Sequence, residues 1–141
     1  MFVDGVMRSH TGAPCRQGVN LYRTLRQHTQ VFLLCSHKEK DERWLKENKI
    51  NAVDDLIGPD IPMSGDWVEW RQVEYCRGRG NVDYVVTADP ELAAKLLDAG
   101  VTTVMFLQPI YISERFRPDS KEGRKSWQDI TDEIARQQDL Y

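Results

Sequence analysis

Apolar positions along the chain fall into short unbroken runs, separated by longer stretches with helical spacing. The clearest run is Val31 to Cys35, Val-Phe-Leu-Leu-Cys, which stops at Ser36. A run without polar alternation predicts a strand buried on both faces, as in a parallel sheet. Shorter runs lie at Phe2-Val3, at Val82 to Val86 and at Val101 to Leu107, and Asn51 to Gly58 reads as one more short strand and turn. Between them, Leu21, Tyr22 and Leu25 recur at helical spacing from near Val19, with Arg23, Arg26 and Gln27 facing out. Lys38 to Asn48 reads as a helix whose inward contacts are Trp44 and Leu45. Trp67, Trp70, Val73 and Cys76 form the apolar side of another, with Asp66 as its cap and Gly78 and Gly80 at its end. Pro90 suits the first turn of a fourth, whose buried stripe is Leu92, Ala93, Leu96 and Leu97 and whose stop is Gly100. Trp127, Ile130 and Ile134 mark a C-terminal amphipathic helix.

Strands alternating with helices predict an α/β fold: three layers in a Rossmann-like arrangement, a parallel sheet with helices on both faces. Right-handed crossovers then place the N-terminal strand centrally, between the strands from Val31 and Val82, with those from Val101 and Asn51 at the edges. The expected organisation is a single α/β core over 1–109, followed by an extension over 110–141 whose helix packs on or next to that core.

Composition narrows the function classes. At 141 residues the chain fits one domain with a core of its own, so neither a metal nor a disulfide is required to hold it. A formal charge of −3 argues against bulk binding to nucleic acid or to an anionic membrane. Cys15, Cys35 and Cys76 are odd in number and widely spaced, which suits a reducing compartment rather than a disulfide framework or zinc site. Cys35, inside an apolar run, reads as a small buried hydrophobe. Asp4 and Arg8 interrupt the N-terminal apolar stretch, so it does not read as a signal peptide. No segment approaches the roughly 20 apolar residues of a membrane helix. A cytoplasmic location is expected.

The candidate chemistry lies at the carboxyl ends of the strands, where open α/β sheets bind ligands. The first strand ends at Asp4-Gly5, the second at Ser36 and a later one at Thr87-Ala88-Asp89. A hydroxyl can hydrogen-bond a phosphoryl oxygen, and carboxylates can hold a hard cation. The competing reading of Asp4-Gly5 is a plain turn. His10, His28 and His37 lack metal-ligand spacing, and Cys15 has no identifiable base beside it. Lys38, Lys40 and Arg43, mixed with Glu39, Asp41 and Glu42, read as a solvated helix face.

On three motifs the chain resembles the haloacid dehalogenase (HAD) superfamily of phosphohydrolases. They are Phe2-Val3-Asp4-Gly5-Val6, Leu33-Leu34-Cys35-Ser36, and Val85-Val86-Thr87-Ala88-Asp89-Pro90 with the helix and strand after it. The Tyr111 to Trp127 tail adds a likeness to small HAD-like proteins encoded by tailed phages of actinobacteria, which implies host cytoplasm. The resemblance covers Phe2 to about Pro109 and implies a HAD-like fold without a cap domain. It assigns Asp4 as nucleophile or as acid/base, Gly5, Ser36 and Thr87 to phosphate, and Asp4 and Asp89 to Mg²⁺.

The departures from the family pattern shape the expected function. The first motif is Asp-x-Asp-Gly in that family, and only one of the two acids is present here. Thr87 and Ala88 stand where metal-binding acids are usual. The family's basic residue has no clear match, with Arg71, Arg77 and Arg79 as positional candidates. An aspartyl-phosphate mechanism needs the nucleophile and charge neutralisation by Mg²⁺. The expectation is therefore a degenerate domain that binds a phosphorylated ligand or a protein partner, with no cofactor. The alternatives are a Mg²⁺-dependent phosphohydrolase acting on a small phosphorylated substrate such as a nucleotide, and a structural component of an assembly such as a virion. The apolar stretch 106–116 is the candidate surface for a partner or for self-association.

Overall fold

The computed structural model describes residues 1–51, 53–108 and 135. The expectations for the rest, the C-terminal helix and most of the 106–116 surface among them, lie outside the described residues. Helices and short strands alternate in the order α1 (Arg16–Arg26), β1 (Phe32–Leu34), α2 (Lys38–Glu47), β2 (Asp55–Ile57), α3 (Val68–Arg79), β3 (Val85–Thr87), α4 (Pro90–Asp98) and β4 (Thr103–Met105).

The strands form two small parallel sheets. In one, β1 pairs with β2 in the register Phe32 to Asp55 and Leu34 to Ile57. In the other, β3 pairs with β4, Val85 opposite Thr103 and Thr87 opposite Met105. The N-terminal residues join the two. Leu34 N–H donates to Met1 O at 2.9 Å and Val3 N–H to Leu34 O at 2.9 Å, while Phe2 N–H donates to Val86 O at 3.1 Å. Residues 1–3 therefore lie between β1 and β3, in the central position expected of a first strand. They form an isolated parallel bridge, Phe2 to Leu34, rather than a longer strand, because the chain turns at Asp4.

Successive residues of this layer divide between two apolar clusters. Met1, Val3, Leu33, Cys35 and Val86 pack with Val19 and Tyr22 of α1 and Leu45 of α2. Phe2, Leu34 and Val85 pack with Val73 and Cys76 of α3 and Leu92 and Leu96 of α4. Extended backbone sends alternate side chains to opposite faces, which is how one short run feeds both clusters. Leu92 and Leu96 are fully buried, each contributing about 2 kcal/mol by removal from water.

The helices correct three expectations. Leu97, assigned to the buried stripe of α4, is 57% exposed, because the stripe of a short helix is narrower than four positions in six. Asp66 does not cap α3; Trp67 holds that place and makes no side-chain cap bond. α1 begins at Arg16 rather than near Val19, which puts Gly18 inside it. A Cβ built at Gly18 would stand 1.8 Å from Val6 O. The helix thus lies directly on the backbone of residues 5–7, at a distance that only glycine permits.

Candidate functional site

The turn after Val3 builds the site. Gly5 has φ +79°, a conformation L side chains rarely adopt. The chain then curls back, with Met7 N–H and Arg8 N–H both donating to Val3 O at 2.9 Å. Gly5 N–H closes the loop by donating to Arg8 O at 2.9 Å. One tight turn therefore returns Arg8 to the side of Asp4.

Both oxygens of the Asp4 carboxylate are held there. Arg8 donates to Oδ1 from Nε at 2.8 Å and from Nη2 at 2.6 Å. Ser36, just beyond β1, donates its hydroxyl to Oδ2 at 2.9 Å. The same guanidinium reaches a second carboxylate, with Nη1 donating to Asp41 Oδ1. Asp41 Oδ2 accepts from His37 N–H at 3.0 Å, at the N-cap of α2. The Asp41 side chain is 0% exposed, that of Arg8 12% and that of Asp4 43%. Asp41 is therefore no part of a solvated face, which corrects its reading from sequence. Burial opposes the Arg8 charge, but hydrogen bonds to Asp41 and Asp4 outweigh it and the guanidinium pKa is raised.

The following loop is fastened to the same place. Arg8 bridges antiparallel to Pro14, and Ser9 N–H donates to Ala13 O at 2.8 Å. Trp44 of α2 lies 5.3 Å beneath the Arg8 guanidinium and donates from Nε1 to Gly12 O at 2.8 Å. Behind the turn, the buried Gln108 side chain donates to Gly5 O and, at 3.1 Å, to Val6 O.

Beyond β3 the bonding is local. Thr87, 2% exposed, accepts at its hydroxyl from Asp89 N–H at 3.1 Å. Asp89 accepts at Oδ1 from Glu91 N–H at 2.9 Å and is the N-cap of α4, with Pro90 following as anticipated. Burial raises the Asp89 pKa, backbone hydrogen bonds from Glu91 and Leu92 oppose the shift, and the charges of Glu91 and Glu69 add to it. Among the described residues, no three His, Cys, Asp or Glu side chains are grouped to hold a metal ion.

Of the residues anticipated for the site, Asp4, Gly5 and Ser36 meet in one bonded group, whereas Thr87 and Asp89 bond to each other and to α4. The three basic candidates serve elsewhere. Arg71 donates to Met63 O at 3.1 Å, Arg77 pairs with Glu74 at 2.7 Å, and Arg79 pairs with Asp55 at 2.6 Å between the Phe32 and Tyr75 rings. Sequence reasoning passed over Arg8, Asp41 and Gln72 as site residues. The separation of Asp4 and Arg8, compatible with a pair across one turn, was the available signal for the first. Nothing in the sequence marks Gln72, whose buried amide donates to Cys35 O at 2.8 Å and Ile57 O at 3.0 Å, closing the ends of β1 and β2.

The two buried cysteines carry no comparable chemistry. Burial pushes the Cys35 thiol up to about 12 and raises that of Cys76, the opposite of what a nucleophilic thiolate needs. A cavity of about 290 Å³ opens at the other end of the strands, lined by Val31, Phe32, Val73, Arg79, Asn81 and Tyr84. Two of its polar side chains are paired, Arg79 with Asp55 and Asn81 with Asp83.

The class defined by these observations is a mixed α/β domain with short parallel strands and an ion-paired turn at a strand end. No family model, no curated protein and no solved structure matches the chain. No helix among the described residues is long and apolar enough to cross a membrane.

Proposed function

We propose that this chain is a degenerate HAD-like domain that acts by binding, with its strand-end acids turned to structural use. The single observation that carries the reading is the Asp4 carboxylate, both of whose oxygens accept hydrogen bonds from Arg8 and Ser36. A carboxylate nucleophile needs a free oxygen aimed at phosphorus and a cation to draw charge from the phosphoryl group. Asp4 instead faces a guanidinium held on its other side by Asp41, and Asp89 caps α4. The three-layer arrangement proposed for the core draws support from the two apolar clusters, one with residues of α1 and α2 and the other with residues of α3 and α4.

The ligand proposed is a phosphorylated small molecule or a protein partner met at the carboxyl ends of the strands. The hydroxyl of Ser36, exposed at the strand end beside the turn, suits the first. The exposed apolar Leu107, within 106–116, suits the second. The test is steady-state phosphate release from an aryl phosphate with and without Mg²⁺, beside Asp4→Asn as control. The expected result is no release above that control. Mg²⁺-dependent turnover lost in Asp4→Asn would instead establish a phosphohydrolase.

A further inference from the structure

We propose that Arg8 is a resident counter-ion: its guanidinium fills the space between Asp4 and Asp41 that a hydrated divalent cation would otherwise take. The proposal deepens the binding reading above and rests on it.

Two carboxylates from different elements, the turn after Val3 and helix α2, converge on this one group. Asp41 is fully buried, and a buried carboxylate persists only where a positive charge and hydrogen bonds compensate it. Arg8 supplies the charge at Oδ1, while His37 N–H donates to Oδ2. The oxygens gathered around the guanidinium are those of Asp4, of Asp41 and, bonded to Asp4, of Ser36. That is the donor set preferred by a hard cation such as Mg²⁺, which binds through one or two carboxylates and keeps several of its waters. The guanidinium performs the same neutralisation from within the chain. It is planar, remains charged at every working pH, and can bond two carboxylates through different edges. Its face also rests on the Trp44 ring, a contact that a hydrated metal ion would not reproduce. Arg8 therefore sets the selectivity of this strand end against divalent cations.

The test compares thermal unfolding of the wild-type chain and Arg8→Ala with and without about 10 mM Mg²⁺, at matched ionic strength. The wild-type midpoint should not respond. Arg8→Ala should start lower and rise by roughly 3 °C or more when Mg²⁺ is added, since a ligand that binds only the native state raises its stability. Arg8→Ala/Asp4→Asn should lose that rise, and Arg8→Lys, which keeps a cation in place, should not show it. Folding of Arg8→Ala only when Mg²⁺ is present would count as the same result. Where Arg8→Ala does not fold under either condition, Arg8→Gln, which retains bulk over Trp44, is read in its place. A folded neutral variant indifferent to Mg²⁺, or a wild-type protein that responds as strongly as the variant, would overturn the proposal. Phosphate release by the wild-type chain is scored separately. Turnover there would end the binding reading, while the Mg²⁺ response of the neutral variant still decides the role of Arg8.

Discussion

Asp4 and Asp89 each follow an apolar segment of the same central layer, yet they end in different employment. Asp89 bonds within its own neighbourhood, accepting from Glu91 N–H to cap α4. Asp4 bonds across the fold, through Ser36 beyond β1 and through Arg8 to Asp41 on α2. The difference teaches that an acid at a strand end has no fixed role. What decides it is whether a cation is delivered to it, and here the tight turn through Gly5 delivers Arg8.

The comparison can be broken most forcefully at Asp41. Asp41→Ala removes the fully buried carboxylate from the Arg8 charge, leaves the half-exposed Asp4 opposite it, and should destabilise the fold by about 3 kcal/mol. Urea unfolding would show it as a lower midpoint at unchanged slope. Asp4→Ala removes hydrogen bonds to a charged donor, but its carboxylate is open to water on one side. The loss should be about 1 to 2 kcal/mol, and a larger loss than that of Asp41→Ala would reverse the order of importance drawn here. Asp89→Ala removes a helix cap and should cost about 1 kcal/mol, with Asp89→Ser restoring most of it. Failure of serine to restore stability would show that Asp89 does more than cap.

The smallest effect is a pH dependence that belongs to Asp89. Burial raises its pKa in the folded protein, so the native state holds the proton more tightly than the unfolded chain. The stability from this group is therefore fully present below the ordinary aspartate value and is lost as pH rises through the raised one. Wild-type stability measured relative to Asp89→Asn should fall as pH increases across that window. A rise over the same interval would mean that the cap hydrogen bonds outweigh burial.

Much of the fold was legible because it is written in neighbouring residues. The Val31 to Cys35 run marks β1 by its lack of alternation, and Asp89-Pro90 marks the start of α4 by a cap and a fixed φ. The site was legible only in part. Asp4, Gly5 and Ser36 stand at strand ends, a place that sequence can find. Asp41 lies among Lys38, Glu39, Lys40, Glu42 and Arg43, all of them exposed, and a charged stretch of that kind resembles a solvated face. Its burial depends on a guanidinium that is distant in sequence, and no local periodicity encodes such a pairing. Leu97 errs in the opposite direction, an apolar residue in a helical stripe that stays largely exposed.

The approach of α1 to the turn over Val6 has a consequence for how this sequence can drift. Most buried positions accept a neighbour of similar size, because a side chain can shift to admit it. At Gly18 the obstacle is the Val6 carbonyl oxygen, part of the backbone that sets the direction of the turn carrying Asp4 and Arg8. Even a single methyl group would have to move the helix or the turn. Position 18 is thus a bottleneck in sequence space, where descendants of this chain that keep the ion-paired turn must also keep glycine, although the residue itself contributes no charge, no hydrogen-bonding side chain and no apolar surface.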